Sequence, residues 1–252
     1  MKIRYKFGVW MLCLMFPALV WAENAKSICT SFTQQGRQVT FHLADSAALQ
    51  LQLCSPSVVR IWFSPDGKLQ RRNASFAVIN EELEDVGTVH VDEQAACYEI
   101  FTSKLRIRVN KSPMSIQIFD KYQKLLFSDY ADKGHVSEGT KKVEYKTLRR
   151  DEHFFGLGEK TGKMDRRGES YKMWNSDKPC YSVVEDPLYK SIPFFMSSYR
   201  YGIFPLIIRI RQNLSSERKA VIITALKRRT GKWYITLSSV KTIKKSSANT
   251  SD

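Results

Sequence analysis

Apolar and polar residues alternate along much of the chain between residues 38 and 204, and this is the period of a β-strand rather than of a helix. The clearest segments are VTFHL at 39–43, LQLQL at 49–53, LRIRV at 105–109 and MSIQIF at 114–119. Turn-forming residues separate the segments, for example SPDG at 64–67 after the apolar run at 58–63. Short strands joined by turns predict an all-β fold, an antiparallel β-sandwich.

The chain has 252 residues, 43% hydrophobic and 26% charged, which is typical of a globular protein with an ample core. Its formal net charge of +15 would ordinarily suggest nucleic acid or an anionic surface as a partner. The excess is local, however. Residues 1–22 carry three bases and no acids, residues 205–252 carry 11 bases and two acids, and residues 23–204 carry only +3. Each end therefore needs its own interpretation.

The first 22 residues have the pattern of a secretory signal peptide. Three basic residues precede an apolar run at 7–20 that is too short to cross a bilayer comfortably, and Val20-Trp21-Ala22 resembles a cleavage site. We expect cleavage after Ala22, a secreted or periplasmic location, and no stable membrane anchor after cleavage. The alternative is an uncleaved N-terminal anchor.

Export would place Cys29, Cys54, Cys97 and Cys180 in an oxidising compartment, where disulfides form. Their irregular spacing is compatible with disulfide pairs and equally with buried thiols. Because no Cys-x-x-Cys pair occurs and the histidines are scattered, we predict no metal site. We also predict no cofactor, since FFGLGEKTGK at 154–163 misses the glycine spacing of the Walker loop and of the dinucleotide-binding motif.

Aromatic and polar residues crowd together between residues 171 and 189. They are Tyr171, Trp174, Asn175, Asp177, Tyr181, Asp186 and Tyr189. Flat rings cover the apolar face of a pyranose, and carboxylates accept hydrogen bonds from its hydroxyls, so this composition indicates sugar recognition. The alternative is that the rings belong to the core or anchor a loop.

Four spaced segments in this part of the chain resemble the N-terminal domain of glycoside hydrolase family 31, the α-glucosidase and α-xylosidase family. They are FFGLGEKTGKMDRRG at 154–168, YKMWNSD at 171–177, DPLYKSIPFF at 186–195 and YGIF at 201–204. The resemblance extends more loosely over residues 30–204. It implies a β-sandwich of the galactose-mutarotase-like type, packed in the family against a catalytic (β/α)8 barrel.

The resemblance also implies a substrate-binding residue. In the family, the Asp of a Trp-Asn-x-Asp motif contacts substrate near the leaving-group subsite, and Asp177 matches that position. Trp174 and Asn175 belong to the same motif and are carried over as further substrate-binding residues. The partner implied is an α-linked oligosaccharide, bound weakly or not at all by this chain alone.

The catalytic part of the family pattern is absent from this sequence. The nucleophile motif Trp-x-Asp-Met-x-Glu does not occur, and none of the five tryptophans begins it. Retaining glycosidases need two carboxyl groups about 5–5.5 Å apart, and the resembling segments supply no such pair. We therefore predict no catalytic residues and no hydrolysis by this chain alone.

Residues 205–252 lose the alternation and the family resemblance directly after Phe204. Permissible codons for 205–214, read from the third base of each codon, can encode FDNTYQTEF, which resembles the continuation of the family sequence. The same shift over 232–252 can give a strand and helix resembling those that lead to the barrel. We predict a frameshift near residue 205 and an irregular tail outside the family fold. The alternative, a functional basic tail for nucleic acid or anionic lipid, suits an exported protein poorly, and no nucleic-acid partner is predicted.

The sequence thus predicts a signal peptide at 1–22, a β-sandwich domain at 23–204 and a basic tail at 205–252. The function expected is that of a truncated, secreted α-glucosidase-like glycoside hydrolase that keeps its carbohydrate-contacting sandwich and lacks its barrel. The alternative is a stand-alone carbohydrate-binding or scaffolding sandwich without catalysis. Both glucose and xylose remain open as the sugar.

Overall fold

The computed structural model of the protein describes residues 27–69, 84–130, 134–138 and 141–204, together with the backbone of 211–213, 220–227 and 233–235. The predicted signal peptide at 1–22 lies outside the described residues. In the described part of the chain every regular element is a β-strand. No helix that is long and apolar enough to cross a membrane is found among those residues.

Two antiparallel sheets form the body of the fold, each with its strands in chain order. The first consists of β1 (Cys29–Gln35), β2 (Gln38–Leu43), β3 (Ala48–Ser55) and β4 (Val58–Ser64). The second consists of β5 (Val91–Glu93), β6 (Cys97–Phe101), β7 (Leu105–Lys111), β8 (Met114–Asp120) and β9 (Leu125–Ser128). The alternating segments of the sequence lie in β2, β3, β7 and β8, so the prediction of an antiparallel β-sandwich is confirmed.

The core lies between these two sheets. In β2 every second residue is buried, and Phe41 packs its ring 5.3 Å from that of Tyr98 on β6 in the facing sheet. The rings of Phe32 and Tyr98 meet edge to face at 5.2 Å. Ile107 and Ile116 are fully buried in the same cluster. Each such side chain contributes about 1.5–3 kcal/mol by leaving water, and their alternation holds the register of the strands.

Strand β3 departs from simple alternation because both of its faces are covered. Leu49, Leu51 and Leu53 point into the core, as the sequence predicts. Gln52, which the alternation would place in solvent, is only 6% exposed. A strand in the interior of its sheet, packed on both sides, can bury a polar side chain where a hydrogen-bond partner is available.

A cluster of four charged side chains lies where β9 meets β10 (His135–Glu138) and β11 (Lys141–Thr147); three of them are buried and that of Glu144 is 30% exposed. It consists of Asp129, His135, Glu144 and Lys146, and is called the Asp129 cluster. The Lys146 Nζ lies 2.6 Å from the Asp129 Oδ1 and 3.1 Å from the Glu144 Oε2. The backbone N–H of Ile116 in β8 donates to the Asp129 Oδ2 at 2.8 Å, which connects the cluster to the second sheet.

His135 is the fourth member of this cluster, and its side chain is 1% exposed. Its ring stacks on Phe63 of β4 with centroids 4.9 Å apart. The Nε2 lies 3.5 Å from the Asp129 Oδ2 and the Nδ1 lies 3.5 Å from the Glu144 Oε1, which are ion-pair distances without hydrogen-bond alignment. Because both ring nitrogens face carboxylate oxygens, which only accept hydrogen bonds, the doubly protonated imidazolium is the form that suits the site.

The charges of the Asp129 cluster shift one another's pKa values. Burial and Lys146 lower the pKa of His135, but Asp129 and Glu144 outweigh them, so the pKa is raised above its ordinary 6.5. Burial raises the pKa of Glu144, but Lys146 and His135 bring it down to about 2. The pKa of Asp129 is likewise lowered by Lys146 and His135 against the effect of burial. With all four groups ionised, the two positive and two negative charges balance.

A further sheet carries the glycine-rich segment and consists of β12 (Phe154–Gly158), β14 (Ser191–Ser197) and β15 (Gly202–Ile203). Gly156 has a φ of 121°, and a Cβ there would lie 2.6 Å from the Phe194 carbonyl oxygen. Gly158 has a φ of 79°, and its Cβ would lie 2.8 Å from the Ile192 nitrogen. The two glycines therefore allow β12 to approach the backbone of β14 across an irregular register.

The remaining strands belong to a sheet in the order β10-β11-β17-β16-β13, with β18 paired to β17. These are β13 (Ser170–Lys172), β16 (Arg211–Asn213), β17 (Ala220–Lys227) and β18 (Trp233–Ile235). Three of them lie in the C-terminal tail. The prediction of an irregular tail thus needs one refinement, because the described segments of the tail are strands paired through their backbones. Any extended segment can pair in this way through its backbone N–H and C=O groups, so these strands are compatible with a tail read in either frame.

The four cysteines that the structure describes form no disulfide. Cys29, Cys54 and Cys97 are buried, and Cys180 is exposed. Of the two possibilities left open by the sequence, the structure therefore shows thiols. Burial raises the pKa of the Cys29 thiol to about 11, so this thiol is protonated at neutral pH and chemically inert.

Candidate functional site

The residues predicted to contact sugar lie on one long loop, residues 173–190, which joins β13 to β14. Hydrogen bonds between its two limbs hold this 173–190 loop together. The N–H of Ser176 donates to the Leu188 carbonyl at 3.1 Å, and the Tyr189 hydroxyl donates to the Lys178 carbonyl at 2.6 Å. The loop is therefore an ordered structure whose two limbs are bonded to each other.

The three predicted site residues lie close together in sequence on the first limb of the loop, and all are exposed. Asp177 makes no hydrogen bond or ion pair with any other residue that the structure describes, so its carboxylate is available to a ligand. Trp174 is 48% exposed, with its carbonyl held by the Ser191 hydroxyl at 3.0 Å. The Asn175 Oδ1 accepts the backbone N–H of Ser191 at 2.9 Å. Asn175 thus anchors the loop, and its role in sugar binding stays a prediction, as do those of Trp174 and Asp177.

The same loop carries further exposed apolar and aromatic side chains. The rings of Tyr181 and Tyr189 meet edge to face with centroids 5.9 Å apart, and both are at least partly exposed. Val183 and Val184 are 76% and 85% exposed at the tip of the loop. Exposed rings beside a carboxylate suit a ligand that is neutral and has both apolar faces and hydroxyl groups. Among the described residues, no group of three or more His, Cys, Asp or Glu side chains could hold a metal ion.

The glycine-rich segment turns directly beneath this loop, and Arg166 fixes the turn. The buried Arg166 guanidinium donates to the carbonyls of Lys160 at 3.0 Å and of Thr161 and Lys163 at 2.8 Å. A phosphate-binding loop directs its N–H groups inwards, whereas this turn directs carbonyl oxygens at a cation. The guanidinium also donates to the hydroxyl of Tyr171 at 3.3 Å, and burial raises the pKa of that phenol, with Arg166 opposing the shift.

Lys160 and Asp186 lie at the base of the 173–190 loop, and sequence reasoning assigned no role to Lys160. The Lys160 side chain is 1% exposed. Its Nζ donates to the Asp186 Oδ1 at 2.8 Å and to the Lys172 carbonyl at 2.7 Å, with the Ser191 Oγ at 3.4 Å. The other oxygen of Asp186 accepts the N–H of Lys172. A lysine two residues after the second glycine of a Gly-x-Gly turn was the available signal, but its partners lie 12 to 31 residues away in the chain.

The outward face of β14 presents a row of exposed apolar side chains. Ile192, Phe194 and Met196 alternate along the strand and are 53%, 38% and 50% exposed. Phe204, just after β15, is 41% exposed. An apolar row of this kind on a sheet face is typical of a surface that contacts another domain or protein.

Residues 48–206 match the family model of the glycosyl hydrolase 31 N-terminal galactose mutarotase-like domain. An alpha-glucosidase 2 from Bacillus thermoamyloliquefaciens is 30% identical over 187 residues, which are 69% of this chain and 22% of the relative. An alpha-glucosidase from Saccharolobus solfataricus is 45% identical over 62 residues, or 25% of this chain and 9% of that enzyme. The chain therefore spans less than a quarter of the length of these two relatives.

Among solved structures, a glycoside hydrolase family 31 dextranase from Flavobacterium johnsoniae, complexed with isomaltotriose, superposes with a TM-score of 0.76 at 52% identity. The match covers 83% of this chain and 26% of the dextranase. A cycloalternan-forming enzyme from Listeria monocytogenes shares the fold with a TM-score of 0.67 at 19% identity. The chain belongs to glycoside hydrolase family 31, through its N-terminal galactose-mutarotase-like domain.

Proposed function

We propose that this chain is the N-terminal sandwich of an α-glucoside-cleaving hydrolase and that its 173–190 loop contacts an α-linked gluco-oligosaccharide. The observation that carries the proposal is the 52% identity to a dextranase complexed with isomaltotriose, together with the exposure of Trp174 and of the Asp177 carboxylate, which has no partner among the residues that the structure describes. Among the sugars left open by the sequence, this similarity favours glucose over xylose.

The chemistry of the loop supports contact rather than cleavage. The indole of Trp174 offers an apolar face for a pyranose ring, and the carboxylate of Asp177 accepts hydrogen bonds from vicinal hydroxyls. Cleavage with retention needs a nucleophile and an acid/base about 5–5.5 Å apart. We propose that a catalytic domain outside these residues supplies that pair, and that this chain alone hydrolyses nothing.

The apolar row on β14 is the surface through which the sandwich would contact the catalytic domain. Ile192, Phe194 and Met196 would pack against the catalytic domain, while the nearby loop reaches the mouth of its active site. Without that domain the row faces water, so the isolated chain is expected to self-associate or to have low solubility.

Export and the reading frame belong to the proposal as well. We propose that residues 1–22 direct secretion to the periplasm or the medium, and N-terminal sequencing of the exported protein tests cleavage after Ala22. We propose also that the chain after Phe204 is read out of frame, so that the charge of the tail has no function. Resequencing the gene tests this, and an intact frame with no barrel-coding sequence in another frame downstream would contradict it.

Two assays on the full chain test the sugar-contact function. Turnover of a chromogenic α-glucoside is expected to be absent, and measurable turnover would refute the claim that catalysis lies elsewhere. Titration with isomaltotriose is expected to show a Kd of about 1 mM, worth about −4 kcal/mol, as suits one stacked ring and a few hydrogen bonds. Asp177→Ala should abolish this binding, and binding that survives the substitution would remove the loop from the site.

The stand-alone carbohydrate-binding module is the second candidate, and the exposed pair Tyr181 and Tyr189 favours it. A module that functions by itself is pre-organised, so its affinity would be about 1 μM to 100 μM rather than about 1 mM. The same titration therefore distinguishes the two candidates.

A further inference from the structure

The buried amine of Lys160 connects three separate parts of the chain. Lys160 follows β12, its partner carbonyl belongs to Lys172 at the end of β13, and its carboxylate partner Asp186 lies on the second limb of the 173–190 loop. With 1% of its side chain exposed, Lys160 is closed off from solvent and from any sugar on the loop. Its influence on a ligand can only be exerted through the residues that it holds.

Asp186 makes this arrangement a clamp on the base of the loop. One of its oxygens accepts the Lys160 amine, and the other accepts the N–H of Lys172. The second limb is thereby fixed to the residue at which the first limb begins. Ion pairs of this kind are strong when desolvated, because the surrounding dielectric is low and both carboxylate oxygens have donors.

The clamp is continuous with the anchors of the predicted site residues. Ser191, whose Oγ is 3.4 Å from the Lys160 Nζ, donates from its hydroxyl to the Trp174 carbonyl and from its N–H to the Asn175 side chain. Displacing the amine would therefore loosen Asp186 and Ser191 together. Trp174, Asn175 and Asp177 follow Lys172 by two to five positions, so they move with it.

The glycine-rich turn brings Lys160 to this place. Gly156 and Gly158 permit β12 to lie against β14, and the three carbonyls held by Arg166 set the direction of the chain after β12. The segment that resembles a phosphate-binding loop thus delivers a cation to the base of another loop. Its glycines and its lysine together hold the base of the 173–190 loop.

We propose that Lys160 is a positioning residue for oligosaccharide binding: its ion pair with Asp186 fixes the 173–190 loop so that Trp174 and Asp177 address one sugar together. The proposal rests on the sugar-contact function proposed above. Lys160, although buried out of reach of the ligand, thus controls the affinity for the oligosaccharide by holding the loop in one conformation.

Hydrogen exchange of the full chain, followed by mass spectrometry, tests the clamp independently of any ligand. In Lys160→Met we expect amides of residues 172–191 to exchange at least about 10-fold faster, because the bonds donated by Lys172, Ser176 and Ser191 open more often. Peptides from β7 and β8 should exchange as in the wild type. Asp186→Asn, which keeps the size of the side chain and loses its charge, should give the same pattern.

The matched control is Lys190→Met, which removes an exposed lysine at the last position of the loop, where its amine is paired with Glu159 at 3.0 Å. It should leave exchange unchanged. Unchanged exchange of 172–191 in Lys160→Met overturns the proposal. Faster exchange in β7 and β8 to the same extent also overturns it, since Lys160 would then support the whole fold rather than the loop.

Isomaltotriose titration of the same variants separates positioning from contact. Lys160→Met should weaken binding about 10-fold or more together with the faster exchange, whereas Asp177→Ala should lose binding with exchange unchanged. If wild-type chain binds no isomaltotriose, the sugar-contact function fails, while the exchange pattern still decides whether Lys160 orders the loop. If Lys160→Met loosens the loop without weakening binding, positioning for the ligand is refuted.

Discussion

Lys146 and Lys160 are each buried against a carboxylate, and the two arrangements serve different ends. In the Asp129 cluster, Lys146 pairs with Asp129, just after β9, and with Glu144 on β11, and Asp129 in turn accepts the backbone N–H of Ile116 in the second sheet. At the base of the 173–190 loop, Lys160 joins Asp186 to the adjoining ends of β13 and β14. The same chemistry therefore supports the whole sandwich in one region and the geometry of a single loop in the other.

The difference follows from what each ion pair touches. The Asp129 cluster lies against core rings, with Phe63 stacked on His135 and Phe127 facing Lys146 at 5.0 Å. Opening it exposes apolar surface of the core. The Lys160 amine contacts the Lys172 carbonyl, the Asp186 carboxylate and the Ser191 hydroxyl, and breaking these contacts exposes a loop that already faces water. Stability measurements should respond to the first cluster and loop measurements to the second.

The largest expected effect is the removal of Lys146. Lys146→Met leaves Asp129 buried and facing one imidazolium, so the free energy of unfolding should fall by about 3–5 kcal/mol, as when one partner of a buried pair is deleted. Urea unfolding of the full chain measures it. Lys190→Met, on the surface, should change the same quantity by less than about 0.5 kcal/mol. A loss below about 1 kcal/mol for Lys146→Met would mean that the Asp129 cluster contributes no more to the stability of the fold than the Lys160–Asp186 ion pair does.

A substitution in the hydrophobic core provides a reference for the loss of stability expected from Lys146→Met. Leu51→Ala empties a fully buried position in β3 and should cost about 3 kcal/mol, from lost transfer energy and the cavity left behind. Val183→Ala, at the exposed tip of the loop, should cost less than about 0.5 kcal/mol. Equal effects of the two substitutions in urea unfolding would show that the loop is part of the cooperative core.

The protonation of His135 should make the sandwich, but not the loop, sensitive to pH. Because the folded pKa of His135 is raised, its stabilising effect is complete below the unfolded value of 6.5 and is lost as pH rises through the folded pKa. Asp129 and Glu144, with lowered pKa values, lose theirs only in acid, for Glu144 near pH 2. The free energy of unfolding should therefore decline above about pH 6.5, by at most about 1.4 kcal/mol per pH unit.

Urea unfolding at several pH values between 5 and 9 checks this sign. His135→Gln should flatten the alkaline decline, while His90→Gln, at an exposed position, should leave it as in the wild type. Hydrogen exchange of residues 172–191, corrected for intrinsic rates, should not follow the same curve. A decline that persists in His135→Gln would contradict the assignment to this histidine.

The smallest expected effect on stability is that of Asp177. Asp177→Ala removes an exposed carboxylate with no partner among the described residues, so unfolding should change by less than about 0.5 kcal/mol. Its isomaltotriose binding is nevertheless expected to be lost. A substantial loss of stability would indicate that Asp177 supports the loop, which would bring it into the same class as Lys160.

The sandwich could be predicted from the sequence because a period of two is a local signal. The turn at 64–67 and the strands around Phe41, Ile107 and Ile116 follow from neighbouring residues alone. The Asp129 cluster could not, because its members are scattered over residues 129–146 and meet only when β10 and β11 pair. His135 in particular is predicted as an ordinary strand residue until its three neighbours Asp129, Glu144 and Phe63 are known.

The site was only partly accessible in the same way. The candidate sugar-binding residues were predicted from composition and from the family motif. In the structure, Asp177 and Trp174 are exposed, so a ligand can reach them. Asn175 was predicted alongside them, and its Oδ1 accepts the backbone N–H of Ser191, a contact that depends on how β14 returns beneath the loop. Lys160 was missed for a related reason, since its partners come from β13, the loop and β14.

Cys180 gives the loop a chemical label of its own. It lies on the 173–190 loop as the exposed thiol among the described cysteines, whereas Cys29, Cys54 and Cys97 are buried. In a chain that begins after Ala22, a maleimide dye applied under native conditions would therefore attach at one place. Its fluorescence anisotropy would then report, in real time and without any substitution, how tightly the loop is held.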